Sequence, residues 1–326
     1  LVIKFDKAAQ LMLLTCKVEI TPTEKQAWLI DCHIGGSRWA YNLFLDINRQ
    51  RYECGYHYMG AYEFSKWFNH EYFEANPDDI WIKDLYAKSV KQAFIDADAA
   101  VKRFFKKLSG FPHWRSFKRG QGSYYFVKNS KTQIILCQRH RIKLPKLGWV
   151  RLKEFGYIPT DSEHFVIKQG RIKFKAGRYY LTCLVEQTQL PKLELTGDPI
   201  GIDLGLKEFA ILNDGILYPN QNKSSRVRRI RRHLRRLQRK MSRQYHALEA
   251  RKQKEGKSAT DLNLAKTQRK VQRLYQQLTN TQSDYQNKII ATVVRTKPQW
   301  VAIEDLNVKG MMKNRHLAKV ISYQGF

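Results

Sequence analysis

The chain has 326 residues, 59 Lys+Arg against 29 Asp+Glu, and a formal net charge of +30 on a composition that is 43% hydrophobic and 12% aromatic. That apolar and aromatic content excludes a disordered basic tail, and no apolar run approaches the ~18–20 residues that span a bilayer. The surplus charge calls for a polyanionic partner, and 7 Trp, 17 Tyr and 16 Phe favour nucleic acid over a membrane surface, because bases stack on aromatic rings.

Residues 1–20 alternate loosely and predict one or two strands. Thr21-Pro22-Thr23-Glu24 has the form of a capping box, with Thr21 as cap and Pro22 in the first turn. From there to about Leu108 the pattern is helical, most clearly in the stripe Val90, Phe94, Ala97, Val101, Phe104, Phe105 and Leu108; Gly110 and Pro112 end it. From Ser123 to about Val185 the period switches to two. Short strands are expected at 124–127, 134–136, 142–144, 149–152, 166–168, 172–174 and 180–185, with hairpin turns at Gln169-Gly170 and Ala176-Gly177. Such a run suggests a small antiparallel barrel, interrupted by the helical block and including the first strands.

Leu190 to Gly197 reads as a linker. Pro199 to Gly205 is a buried-type strand carrying one acid, Asp203, and Phe209–Leu212 is a second strand, followed by the turn Asn213-Asp214-Gly215. Val227, Ile230, Leu234, Leu237, Met241, Tyr245 and Leu248 then form one helical seam. After a polar break at Glu255-Gly256-Lys257-Ser258, a second seam runs through Leu264, Val271, Leu274, Leu278, Tyr285 and Ile289. Two such helices pair antiparallel. Trp300-Val301-Ala302-Ile303 is a last apolar strand, ending in Glu304-Asp305.

The cysteines, Cys16, Cys32, Cys54, Cys137 and Cys183, are scattered and without C-x-x-C pairing, which argues against a disulfide framework or a zinc site built from them. A reducing, cytoplasmic compartment is expected, with no signal peptide. The opening Leu1 in place of Met reads as a piece of a longer product. The nine histidines show no ligand spacing, and Trp28, Trp39 and Tyr41 read as helix core rather than base-stacking platforms.

Two features carry chemistry. Asp203 and Glu304 each sit at the end of an apolar strand, where a carboxylate is costly unless it is paired or binds a metal. Taken singly, each is better explained as a strand or helix cap; at the ends of neighbouring strands they could share divalent ions such as Mg²⁺ or Mn²⁺ and act on a phosphodiester. Residues 223–275 hold 19 Lys+Arg and 3 Asp+Glu, a net of +16. A solvated helix face usually mixes signs, so this hairpin is expected to bind nucleic acid, with Arg228, Arg231, Arg232, Arg235, Arg239, Lys240 and Arg243 reaching phosphates.

Residues 200–210, Ile-Gly-Ile-Asp-Leu-Gly-Leu-Lys-Glu-Phe-Ala, closely resemble the first RuvC motif of transposon-encoded TnpB nucleases, and 301–311 with His316-Leu317-Ala318-Lys319 resemble their second. Arg235 to Arg243 is similar to the family's basic helix. Gly110-Phe111-Pro112-His113-Trp114-Arg115-Ser116 and Arg38-Trp39-Ala40-Tyr41-Asn42 are similar to its upstream segments. The resemblance covers most of residues 17–320 in the family's order, and type V CRISPR effectors share this layout.

The resemblance implies a multidomain α+β protein. An oligonucleotide-binding-like β-barrel (wedge, 1–22 and 111–195) is interrupted by a helical recognition domain (23–110), and an RNase H-like (RuvC) nuclease domain follows (196–326, with the basic hairpin at 223–290). It implies a guide RNA, a short target-adjacent motif and metal-dependent cleavage of double-stranded DNA with a displaced strand, no membrane, and Asp203 and Glu304 as the first two metal carboxylates. On the same ground Arg38, Tyr41, Asn42, Arg115, Lys118 and Arg119 are expected to contact nucleic acid. The family continues with a zinc module, the only place where Zn²⁺ would bind, and with a third acid; this sequence stops at Phe326 without either. A cleavage-deficient RNA-guided binding protein with a repressor-like action therefore stands beside the endonuclease. A direct DNA transposase fits less well, given the interposed hairpin and wedge-type strands.

Overall fold

The computed structural model describes residues 2–4, 12–117, 120, 122–128, 135–187, 194–255 and 262–325. It divides into two compact units, Gln10–Leu190 and Leu1–Ala9 with Pro191–Phe326. Helices and strands in both units make it a multidomain α+β protein. Among the described residues no helix is long and apolar enough to cross a membrane.

The β-strands of the unit Gln10–Leu190 form a seven-stranded antiparallel sheet. They are β2 (Met12–Thr21), β3 (Tyr124–Val127), β4 (Cys137–Gln138), β5 (Arg141–Leu144), β6 (Gly148–Leu152), β7 (Phe165–Lys175) and β8 (Arg178–Gln187), in the order β3-β7-β8-β2-β6-β5-β4. Between β2 and β3 the chain inserts α1 (Glu24–Glu53), α2 (Ala61–His70), α3 (Tyr72–Ala75), a 3₁₀ turn (Pro77–Asp84) and α4 (Ala87–Phe105). Inward-facing Val18, Ile20, Ile172, Leu181 and Val185 pack with Ile30 and Ile34 of α1. A separate aromatic core holds the helices together around Phe44, Phe64, Phe68 and Phe94.

Local sequence explains where these elements start and turn. The capping box forms at Thr23: its hydroxyl accepts from the Gln26 N–H at 3.3 Å, and the Gln26 side chain accepts from the Thr23 N–H at 3.1 Å. The cap falls two residues after the expected Thr21 because Thr21 still pairs with Arg151 in the β2–β6 ladder. The β7–β8 turn is Ala176-Gly177 as expected, with φ of 52° and 78°, the left-handed pair that a two-residue hairpin needs.

Gln169-Gly170 is not a turn. β7 runs straight through it, with a register shift between Ile167 and Gln169. The glycine serves close packing instead: a Cβ at Gly170 would lie 2.3 Å from the Phe126 ring and 2.6 Å from the Thr182 carbonyl. Gly170→Ala is therefore expected to cost roughly 1–3 kcal/mol, the usual range for overpacking. A thermal midpoint equal to that of the wild type would contradict this. Of the strand expected at 134–136, Ile134 lies outside the described residues and Ile135 and Leu136 are not in a strand.

The second unit has a five-stranded sheet of β1 (Val2–Lys4), β9 (Ile200–Leu204), β10 (Glu208–Leu212), β11 (Leu217–Pro219) and β12 (Trp300–Ile303), ordered β1-β12-β9-β10-β11. β9 and β12 are parallel and the other neighbours antiparallel. The first strand therefore does not join the seven-stranded sheet with β2, as the sequence suggested: Val2, Ile3 and Lys4 pair with Ala302, Val301 and Trp300. The long helices α5 (Ser225–Glu255) and α6 (Leu262–Arg295) pair with each other. Ile289 and Val293 of α6 pack on Ile200 and Leu212. The short α7 (Val308–Met311) and α8 (Ala318–Gln324) follow β12. Glu255 ends α5, but the rest of the expected polar break, from Gly256 to Ser258, lies outside the described residues.

Candidate functional site

Strand alternation sorts β9 into two faces. Ile200 and Ile202 point to the core beneath α6, and Asp203 lies on the opposite, exposed face. β12 matches it in register: Val301 pairs with Ile200, Ala302 with Gly201 and Ile303 with Ile202. One step further, Glu304 stands beside Asp203 at the C-terminal ends of two parallel strands, which run roughly 4.8 Å apart. Both acids border one shallow depression, with Gly201, Ala302, Ile211 and Asn213. The in-register pair Gly201 and Ala302 keeps the floor between the strands low.

Both carboxylates are exposed, and among the described residues neither has a hydrogen-bond or ion-pair partner. The acid of the first strand is thus not a buried one, and its presence there carries little desolvation cost. Asp305, next in sequence, is also exposed. Supporting contacts hold the strand ends: the Asn213 N–H donates to the Gly201 carbonyl at 3.0 Å, and its side-chain amide to the Pro199 carbonyl at 3.2 Å.

The expected helical hairpin is present. Val227, Ile230, Leu234 and Leu248 of α5 and Leu264, Val271, Ile289 and Val293 of α6 are buried. Arg228, Arg232, Arg235, Arg239, Lys240 and Arg243 are exposed. Four of them, Arg228, Arg232, Arg235 and Arg239, follow one another at 4-3-4 spacing and so share a face. Arg226, Arg229 and Arg236 on α5 and Lys266, Arg269, Lys270 and Arg273 on α6 are exposed as well and extend the cationic surface. The even density of the sequence run hid which of these flank the seam.

Arg231 differs from these exposed neighbours in being half-buried. Its guanidinium lies 3.6 Å from the centre of the Tyr323 ring and donates to the Asn222 side chain at 2.6 Å. Burial pushes its pKa below the usual arginine range. Asn222 in turn donates to the Tyr323 carbonyl at 2.8 Å and to the Gln324 side chain at 2.9 Å, and Gln324, almost fully buried, donates to the Gly205 carbonyl at 2.9 Å. Arg231 thus ties α5 to α8 and to the loop after β9.

In the other unit, the residues carried over from the upstream segments are engaged with one another. The Asn42 side chain accepts from the Arg115 N–H at 2.7 Å and donates to the Arg115 carbonyl at 2.9 Å. The Arg115 guanidinium lies 3.7 Å from the centre of the buried Tyr41 ring and 3.9 Å from Asp96. Burial would raise the Asp96 carboxyl, but hydrogen bonds from Arg171 and Gln92 outweigh it and hold the carboxyl below its ordinary range. Arg38 is half-buried, with Phe117 5.3 Å away.

Tyr41, Asn42 and Arg115 therefore form an internal clamp between α1 and the segment before β3. Lys118 and Arg119 lie outside the described residues. Asn42→Ala removes both bonds to the Arg115 backbone and is expected to lower stability by about 1–3 kcal/mol, read as the midpoint of urea unfolding. An unchanged midpoint would return these residues to the surface role.

A basic face of the seven-stranded sheet went unnoticed in the sequence. Lys17, Arg171, Lys173 and Lys175 share it with Tyr125 and Tyr180 around one open depression. The signal was present as alternating cations at 171, 173 and 175, but it needed the β7–β8–β2 register to join Lys17 to them.

His33 has both ring nitrogens engaged, Nδ1 with the Leu29 carbonyl at 2.6 Å and Nε2 with the Tyr86 N–H at 3.0 Å. Burial lowers its pKa, and it is a structural histidine. The five cysteines are free. Asp161, Glu163 and His164 form a group of three side chains close enough to share a metal ion, but Asp161 is already engaged with the Glu163 N–H and the His164 ring.

Comparison with known proteins adds to this geometry. The family model OrfB_IS605, described as a probable transposase, matches residues 182–315, and HTH_OrfB_IS605, described as a helix-turn-helix domain, matches residues 12–56. The latter residues form β2 and the single 30-residue helix α1, not two helices joined by a turn. Two curated relatives carry the name "Putative RNA-guided DNA endonuclease". InsQ of Escherichia coli (strain K12) is 27% identical over 299 residues, 91% of this chain and 67% of that protein. A protein of Streptomyces pristinaespiralis is 27% identical over 314 residues, 94% and 70% of the two chains. A chain of the "Cryo-EM structure of the Cas12f1-sgRNA-target DNA complex" is similar at a TM-score of 0.43 and 10% identity, over 96% of this chain and 86% of that one.

Proposed function

The chain belongs to the TnpB family, and from that premise we propose that it is an RNA-guided DNA endonuclease of the bacterial cytoplasm. It binds a guide RNA, recognises a short motif beside the target, and cuts double-stranded DNA by metal-dependent phosphodiester hydrolysis. The observation that carries the reading is the register of β9 and β12, which sets Asp203 beside Glu304 on an open face.

In this reading the five-stranded sheet with α5 and α6 is the RNase H-like (RuvC) nuclease domain, spanning 196–326 together with β1. The seven-stranded sheet is the oligonucleotide-binding-like wedge, 12–22 and 111–195, and 23–110 is the recognition domain inserted in it.

The donor set suits a hard cation. Mg²⁺ takes oxygen from one or two protein carboxylates and keeps its waters, and Asp203 and Glu304 offer such oxygens, exposed and without protein partners. Bound there, Mg²⁺ or Mn²⁺ would supply an activated water and charge neutralisation at the scissile phosphate. The remaining work falls to the protein's own side chains. Gly201 and Ala302 leave room for a backbone to approach the acids. The α5 arginines hold phosphates of the guide–target duplex without reading its sequence, and that duplex is recognised by its A-form shape.

The test is cutting of a target-library plasmid by the complete gene product with its co-purified RNA and Mg²⁺. Cutting next to a shared short motif is expected. Guided binding without cutting would select the repressor-like reading instead.

A further inference from the structure

At the C-terminal ends of α1 and α4 the helical insertion carries aromatic side chains that its core does not absorb. Tyr52 is 82% exposed, Tyr56 63% and Phe105 60%. They wall a cavity of about 360 Å³ whose floor is the buried Leu45 and Val101. Tyr58 closes one side, its ring edge-on to Phe105 at 5.6 Å between centroids and its hydroxyl donating to Asp98 at 2.7 Å.

The interior offers almost nothing to a hydrogen-bonding ligand. Asn48, the amide in the lining, already accepts from the Met59 N–H at 2.8 Å and donates to the Phe44 carbonyl at 3.1 Å. The surroundings are cationic. Asp98 is held by Lys102 at 2.8 Å and Glu53 by Arg49 at 3.0 Å, so the nearby acids are neutralised. Arg51 lies 5.4 Å from the Tyr56 ring centre, and Arg103, Lys106 and Lys107 at the end of α4 are exposed.

We propose that this cavity receives an unstacked base of single-stranded nucleic acid. Aromatic walls bind the π-face of any base, and the cations beside them meet the flanking phosphates. Because the one lining amide is engaged, it reads no base edge, and stacking on the rings tolerates any base. The same cations oppose docking of a second copy of a chain whose net charge is +30. The inference takes nucleic acid as partner from the proposed function and adds the place where a single strand is held.

A short single-stranded oligonucleotide carrying one 2-aminopurine between abasic positions reports stacking directly, because no neighbouring base quenches the probe and contact with a tyrosine ring does. The full chain and the double variants Tyr52→Ala/Phe105→Ala and Tyr52→Phe/Phe105→Tyr are compared. Both side chains are more than half exposed, so the variants keep the fold, which circular dichroism checks.

The wild type and the ring-conserving variant are expected to quench, and the alanine variant to lose the quenching and bind about tenfold or more weakly. A duplex of the same sequence should not be quenched. Equal quenching by the alanine variant would overturn the proposal. So would a wild-type dimer in sedimentation that the alanine variant dissolves, since a second copy would then occupy the cavity. No guide, target or cutting enters this assay, so its failure leaves guided cleavage standing, and failure of guided cleavage leaves it standing.

Discussion

Asp203→Ala and Glu304→Ala are each expected to abolish cutting of the target plasmid while changing affinity for the co-purified RNA by less than about twofold. The separation follows from the two faces of the sheet. Ile200, Leu212, Ile289 and Val293 hold the sheet to α6 from one side, and the two acids stand on the other, exposed and without protein partners. Truncating an exposed side chain away from the packed core changes stability by about 0.5 kcal/mol or less, so the loss of cutting is not a loss of fold. The arginines proposed to hold RNA lie on α5, outside the depression the acids border. Glu304→Gln keeps the shape and removes the charge, and it should fail like the alanine variant. Full cutting by either single variant would remove that carboxylate from the site.

Reversing Arg232, Arg235 and Arg239 to Glu has a comparably large effect on a different quantity. All three are exposed and lie close together along α5. Removing one cation from a phosphate lowers the slope of log affinity against log salt by about 0.7 for a single strand and 0.9 for a duplex. The triple variant is therefore expected to lower the slope for RNA binding by roughly 2 to 3 and to weaken the complex most at low salt. Thermal stability should hold, since the buried seam residues Ile230 and Leu234 are untouched. An unchanged salt slope would move the RNA elsewhere, and the basic sheet face around Lys17, Lys173 and Lys175 becomes the next surface to reverse.

Much of this arrangement could be read from the sequence because its signals are local. Period-two runs marked most strands, the 3–4 spacing of apolar residues marked α5 and α6, and the concentration of +16 within residues 223–275 marked a cationic surface. Readings failed where a long-range partner decides. Val2–Lys4 looks like any short strand, and only its pairing with β12 assigns it to the five-stranded sheet. Gln169-Gly170 has turn composition, yet its glycine answers to Phe126 across the β3–β7 pair. Tyr41, Asn42 and Arg115 form a recognisable pattern whose physical content is their engagement with one another.

The site shows the same division. Each strand-end acid was visible singly. Their placement side by side depended on the parallel register of β9 and β12, whose strands lie about a hundred residues apart in the chain. Asp203, expected in a buried-type strand, is exposed because strand alternation turns it away from the core beneath α6.

The most direct test of the account is cutting of a target-library plasmid by the complete gene product with its co-purified RNA and Mg²⁺, with Asp203→Ala assayed alongside. The account predicts double-strand cuts beside a common short motif for the wild type and none for the variant. Equal cutting by the two proteins would contradict it.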